Sequence, residues 1–270
     1  MKKFCSDKKF YDHYFSGDDY ERACFLYDVG SSSTREAVRK MITKSSGYLL
    51  EIGLGLGFFL SEVPYFKRVG VDLSFETIKK AERNIAGDVF LVNCNAENLP
   101  FQNRTMDIVT STNTFEHIPD IQKAIKEIYR VVKPDGELVV FVPASLTGKV
   151  PKKEQELMGH LRTFSRSEFE KQFRGLFKIE KIYYAHFLHN LVWLRIKVFL
   201  LCVNFLVKRL RKDRKSFYER KIYQKRIMPF LMKWLNFFDY KIGRTENNFW
   251  VSLLRFFEKR RCICLRAVKV

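Results

Sequence analysis

Three features of this 270-residue sequence predict an α/β fold built on a doubly wound, mostly parallel seven-stranded sheet. Strand-like and helix-like segments alternate from Tyr48 to Pro143. A glycine loop, Gly53-Leu-Gly-Leu-Gly57, separates the first strand from the first helix of that series. Two last strand candidates, residues 177–187 and 261–270, are expected to pair as an antiparallel edge hairpin with a helical insertion between them.

Taken in order, Tyr48-Leu-Leu-Glu-Ile52 reads as a short buried strand, and Phe58 to Val63 as the start of a helix after the glycine loop. Arg68-Val-Gly-Val71 is the second strand and ends at Asp72. A helix over 74–86 follows, with Glu76 near its positive end and Gly87 as its stop. Val89-Phe-Leu-Val-Asn93 is strand three and Met106-Asp-Ile-Val-Thr110 strand four. Asp120 caps a helix whose Ile121, Ala124, Ile125, Ile128 and Val132 recur at helical spacing, and Pro134-Asp-Gly136 stops it. Residues 137–143 are dense in Val and Phe, as expected of a strand covered on both faces. Ser165-Arg-Ser-Glu168 has capping-box spacing and opens a helix through Phe173.

Composition narrows the class. Hydrophobic content of 46% with only 13 Gly and 7 Pro excludes a disordered or collagen-like chain. Six Cys are too few to staple a chain of this size and none forms a Cys-x-x-Cys pair, so reduced thiols in the cytoplasm are expected and no metal ligands are assigned. The basic N-terminus is followed by acids and tyrosines, not by the apolar run of a secretory signal. Of the net charge of +19, residues 1–147 carry about −1 and residues 148–270 about +20. A near-neutral core of residues 47–187 and a final core strand at 261–270 are therefore expected to carry a basic insertion at 188–260. Residues 1–46 read as short helices forming an N-terminal lid.

The chemistry concentrates where strands end. Glu51 and the three glycines let bare backbone approach a ligand, but Gly57 comes one residue too early for a dinucleotide fingerprint. The acid before the loop would repel a pyrophosphate and attract an ammonium group. Asp72, nineteen positions beyond Gly53, is placed to accept from the vicinal hydroxyls of a ribose, or else to cap the next helix through Ser74. Asn95-Ala-Glu97 at the end of strand three can read an adenine edge.

Together, Leu50-Glu-Ile-Gly-Leu-Gly-Leu-Gly57, Gly70-Val-Asp-Leu-Ser74, Asn95-Ala-Glu-Asn-Leu-Pro-Phe101, Phe115-Glu-His-Ile118 and Tyr129-Arg-Val-Val-Lys-Pro-Asp-Gly136 resemble the motif series of class I S-adenosylmethionine-dependent methyltransferases. The resemblance is to their type-11 group, which includes quinone-biosynthesis enzymes, and it implies a Rossmann-like fold. It implies that Gly53, Gly55 and Gly57 line the methionine and ribose portion of S-adenosyl-L-methionine, with Glu51 beneath the amino group. Asp72 would hold the ribose, Leu73 would pack on adenine, and Asn95 with Ala96 would recognise it. Many relatives have Asp where Asn95 stands, yet an amide oxygen also accepts from the adenine amine.

Methyl transfer from a sulfonium needs alignment more than acid-base help, so no catalytic residue is assigned. His117 is a candidate for deprotonating or binding the acceptor, or alternatively fixes the loop before Pro119. His160 and Arg162, in a His-x-Arg-x-Phe-Ser stretch of the kind common in this group, face the acceptor or serve structure. Tyr11 and Tyr14 are candidate lid residues or simple packing residues.

The insertion places Asn190, Lys197, Asn204, Lys208, Arg211 and Lys215 on one helical stripe opposite a largely apolar face. Arg195 and Lys197 leave too short an apolar run to span a bilayer, which needs about 20 residues. Bulky aromatics mixed with cations at 229–238 and 249–257 fit an anionic membrane surface at the cytoplasmic face. A small-molecule or lipid-linked acceptor follows from that reading. Packing on the domain or on a second subunit, and nucleic-acid contact through Arg209–Lys215, are the alternatives, with an RNA or protein acceptor, or a non-catalytic binding module, as the matching functions.

Overall fold

The computed structural model describes residues 34–145, 150, 159–185 and 261–270. The helical segments expected within 1–33, with Tyr11 and Tyr14, and the insertion at 188–260 lie outside the described residues. Residues 34–41 form a helix, α1. There follow β1 (Tyr48–Ile52), α2 (Phe58–Ser61), β2 (Lys67–Asp72), α3 (Phe75–Asn84), β3 (Val89–Asn93), β4 (Met106–Thr112), α4 (Ile121–Val131), β5 (Val132–Ala144), α5 (Arg166–Gln172), β6 (Phe177–Ala185) and β7 (Arg261–Lys269). The sheet order is β3-β2-β1-β4-β5-β7-β6. The first five strands run parallel, and β7 lies antiparallel between β5 and β6, as the sequence pattern predicts.

Alternation along the strands builds two apolar layers. Leu50 and Ile52 of β1, Val109 of β4, and Leu138, Val140 and Val142 of β5 face α4, with Ile121, Ala124, Ile125 and Ile128 in the same cluster. Their neighbours Leu49, Ile108, Val139 and Phe141 face the other way, with Val38 and Met41 of α1 and Ile78 and Ala81 of α3. Helices on both faces explain why these strands read as unbroken Val, Ile and Leu runs.

Three boundaries differ from the sequence expectation. Helix α3 stops at Asn84, not Ala86, because Ile85 turns extended and is buried against the glycine loop. The buried side chain of Arg68 then donates to the carbonyls of Ala86 (2.8 Å) and Asp88 (2.8 Å) after the ending helix, and to Leu60 O (3.2 Å). Helix α4 ends at Val131, and β5 starts at Val132 instead of residue 137. Lys133 Nζ, 2.8 Å from both carboxylate oxygens of Asp107, holds this early stretch against β4, and the strand register shifts there.

Candidate functional site

The order β3-β2-β1-β4-β5 reverses direction between β1 and β4, and the parallel strands deliver all their carboxyl ends to one edge. Ligands of open α/β sheets bind outside that edge at such a reversal. Glu51, Asp72, Asn93 and the loop after Thr112 all lie there.

The glycine loop is fixed from behind, where the amides of Gly53 and Leu54 both donate to Val71 O, at 2.8 and 3.1 Å. A Cβ on Gly53 would run into the side chain of Thr114, and one on Gly57 would lie 2.5 Å from Ile85 Cδ1. Gly55, at φ +55°, differs: a Cβ there would meet nothing within 4 Å. Two glycines thus serve close packing, and the middle one borders open space.

Asp72 closes this loop. Its Oδ2 accepts from Gly55 N at 3.2 Å and its Oδ1 from Ser74 N at 3.0 Å. Ser74 itself caps α3 by accepting from Thr77 N. Asp72 therefore braces the next helix as one sequence reading has it, and the same carboxylate, with acceptor capacity beyond two bonds, stands at the ligand edge. Leu73 is half-buried, and its carbonyl, with that of Asp72, accepts from Asn93 Nδ2 at 2.8 and 2.9 Å.

Glu51 is 3% exposed, and its Oε2 has no hydrogen-bond partner among the described residues. Burial drives its pKa well above the usual carboxylate range; Arg35 opposes this, while Asp72 and Glu62 add to it. Arg35 is itself engaged at 2.7 Å by Glu62.

Asn95 is exposed, and its Oδ1 accepts from Glu97 N at 2.9 Å. Ala96 packs half-buried on the core. The rest of this loop is clamped from α4: Glu127 accepts from Leu99 N at 2.9 Å, and Arg130 donates to Leu99 O at 2.8 Å and to Phe101 O at 2.6 Å. The Arg130 in the last sequence motif thus serves the third, a link that only the fold discloses.

On the far side of β1, Thr114 Oγ1 reaches Ile52 O at 3.3 Å, setting the loop after β4 directly on the glycine loop. Fully buried Glu116 follows, and beside it the fold brings together His117 and His160, ring centroids 4.8 Å apart. Leu161 N bonds Glu116 O at 2.9 Å, and Arg162 Nη2 donates to Pro119 O at 2.8 Å. His117 Nδ1 lies 3.3 Å from Gly159 O. Burial, reinforced by His160 and opposed by the Gly159 bond, lowers the His117 pKa to about 4, so the ring is neutral near pH 7. His117 is thus tied to the loop at Gly159 and stands edge-to-face with the second histidine. Sequence pattern gives no separate signal for Thr114 or for Glu116, which lies inside Phe115-Glu-His-Ile118 next to the histidine.

Residues 50–140 match a family described as a methyltransferase domain. Over that stretch the chain is similar to methyltransferase domains. A demethylmenaquinone methyltransferase of Lactobacillus johnsonii is 25% identical over 145 residues, covering 49% of this chain and 59% of the relative. A sterol 4-C-methyltransferase of Caenorhabditis elegans is 28% identical over 112 residues, 38% of this chain and 33% of its own length. The chain thus spans less than two thirds of these curated relatives. Among solved structures, a SAM-dependent methyltransferase of Thermotoga maritima aligns with a TM-score of 0.52 and 27% identity, over 62% of this chain and 79% of that one. Geranyl diphosphate C-methyltransferase of Streptomyces coelicolor, solved with S-adenosyl-L-homocysteine, aligns with a TM-score of 0.58 over 89% of this chain and 79% of its own. At 14% identity it speaks for the methyltransferase fold alone.

Proposed function

We propose that this chain transfers a methyl group from S-adenosyl-L-methionine to a small-molecule or lipid-linked acceptor. The observation that carries the reading is the pairing of two acids across an open glycine. Asp72 is bonded to Gly55 N, and Glu51 is buried with an oxygen lacking a partner. An amino acid bearing a nucleoside needs both features: a carboxylate for ribose hydroxyls and an anion for an ammonium group. The residues present therefore fit the cofactor. Glu51 would face its amino group, Gly53, Gly55 and Gly57 would border its methionine and ribose portion, and Asp72 would hold the ribose. Leu73, Asn95 and Ala96 would meet the adenine, Asn95 through its amide.

The cofactor supplies an electrophilic methyl on a sulfonium, already a good leaving group. The protein's part is to bind, orient and exclude water. His117, His160 and Arg162 lie on the acceptor side in this reading, and with its pKa lowered to about 4 the neutral ring of His117 suits acceptor binding better than proton abstraction.

The finer part of the proposal is the place of action. The basic, aromatic insertion at 188–260 supports the inner face of a membrane as the site where a lipid-linked acceptor is met. Among the described residues no helix is long and apolar enough to cross a membrane. Incubating cell extract with methyl-labelled cofactor should place label in a lipid or small-molecule fraction in wild type and not in Asp72→Ala. Label in RNA or protein, or none at all, would overturn the reading. Deleting 190–257 should move the protein from the membrane pellet to the supernatant, and equal partitioning would defeat the membrane assignment.

A further inference from the structure

Glu116, His117 and His160 offer one carboxylate and two imidazoles whose ligand atoms all lie within 4.8 Å of one another. Glu116 Oε1 is 3.8 Å from His117 Nε2 and 3.9 Å from His160 Nε2. The carboxylate is wholly buried, and the His117 and His160 side chains are only 19% and 10% exposed. Nothing in the spacing of these residues flags a metal motif; forty-three residues separate the two histidines. The backbone bond from Leu161 N to Glu116 O is what draws the second histidine onto the first pair.

Hydrogen bonding sets the direction of the donors. Gly159 O can only accept, so His117 Nδ1 carries the proton of that bond. Its Nε2 is the ring nitrogen nearest the Glu116 carboxylate. A backbone carbonyl on the second nitrogen is the usual device for orienting a metal-bound histidine.

We propose that Glu116, His117 and His160 form a binding site for a first-row divalent cation, of the kind typified by Zn2+. Two imidazoles and one carboxylate are borderline donors, which suit Zn2+, Mn2+, Fe2+ or Co2+ better than Mg2+ or Ca2+. Bonds of about 2.1 Å set neighbouring donors roughly 3.0–3.4 Å apart, so each imidazole must close on the carboxylate by about 0.4–0.9 Å and the widest gap in the set by up to roughly 1.8 Å, within reach of side-chain rotation. Three protein ligands leave coordination positions for water or for an acceptor oxygen, and the loop that carries Glu116 begins at Thr114 on the glycine loop. The cation site stands without the transferase reading; only the idea that its open position takes the acceptor depends on it.

The test uses the full chain, stripped with chelator and titrated with Co2+. Wild type should develop visible d–d absorption that saturates near one equivalent and is displaced by Zn2+. His160→Ala and Glu116→Gln should weaken this binding by more than roughly tenfold. Far-ultraviolet circular dichroism and titration with S-adenosyl-L-homocysteine, run on the same samples, show whether each variant is folded and its cofactor edge intact. His160→Asn serves as the milder variant if His160→Ala is not. Absence of saturable Co2+ absorption in wild type would overturn the site, as would equal Co2+ affinity in the folded variants. Either failure leaves the homocysteine titration, and so the transferase reading, unaffected.

Discussion

Asp72 Oδ2 accepts from the amide of Gly55 at 3.2 Å, so the carboxylate that faces the ligand edge also holds the glycine loop in place. Ligand affinity and loop order are consequently coupled through one side chain. Asp72→Asn keeps one oxygen acceptor where the native residue has two, and loses the negative charge. Titration calorimetry with S-adenosyl-L-homocysteine should show binding weakened by about 10- to 100-fold, the value of one or two charge-assisted hydrogen bonds. Undiminished heat and affinity would remove Asp72 from the cofactor site.

Gly53 and Gly55 share a left-handed backbone but differ in surroundings, and alanine separates them. At Gly53 (φ +70°) the new methyl collides with Thr114, so the loop after β4 must shift and stability should fall by about 2–4 kcal/mol. At Gly55 the methyl enters open space, and only backbone strain of about 1 kcal/mol opposes folding. Gly55→Ala should therefore melt near wild type yet bind S-adenosyl-L-homocysteine much more weakly, because its methyl occupies the cleared volume. Comparable losses of melting temperature in both variants would contradict this division.

Glu51 makes a pH prediction whose sign is fixed by burial. Its folded-state pKa is raised above the unfolded value, so the stability associated with its proton is complete below about pH 4 and is lost as pH rises toward the folded pKa. Glu51→Gln removes that loss, and denaturant titrations should find the variant at least as stable as wild type at pH 7, with the difference shrinking toward pH 4. Binding should move the opposite way, because an ammonium ligand favours the ionised acid. Wild type should release protons on binding S-adenosyl-L-homocysteine, seen as buffer-dependent calorimetric heats, and the glutamine variant should bind more weakly without that release.

How much of this was legible in sequence depends on how far apart the cooperating residues lie. Glu51, Asp72 and Asn95 sit at successive strand ends, so alternation and the glycine loop were enough to place them on one edge. The early start of β5 was hidden, because Pro134-Asp-Gly136 reads as a break; the chain passes it with Asp135 at φ +57° while Lys133 pairs with Asp107. The Glu116, His117 and His160 cluster was hidden for a different reason. It depends on a backbone bond between segments about 45 residues apart, and single-residue pattern carries no trace of that.

Arg68 is the case where a charge at a core position is structural. Its side chain spends its guanidinium on three carbonyls, those of Leu60, Ala86 and Asp88, where α2 and α3 end beside β2. An apolar replacement of similar length fills the volume but withdraws the donor from the carbonyls of Ala86 and Asp88, which are exposed residues, and leaves Leu60 O with only the 3.4 Å bond from Val63 N. Arg68→Met should lower unfolding free energy by about 1–2 kcal/mol in urea with little change in slope. Because Ile85 follows α3 and packs beneath Gly57, the loss should spread to the glycine loop. Amide exchange at Gly55 and Gly57 should then accelerate more than at β5, on the far side of β4. Uniform acceleration across the sheet would show instead that Arg68 supports the whole domain and not this corner of it.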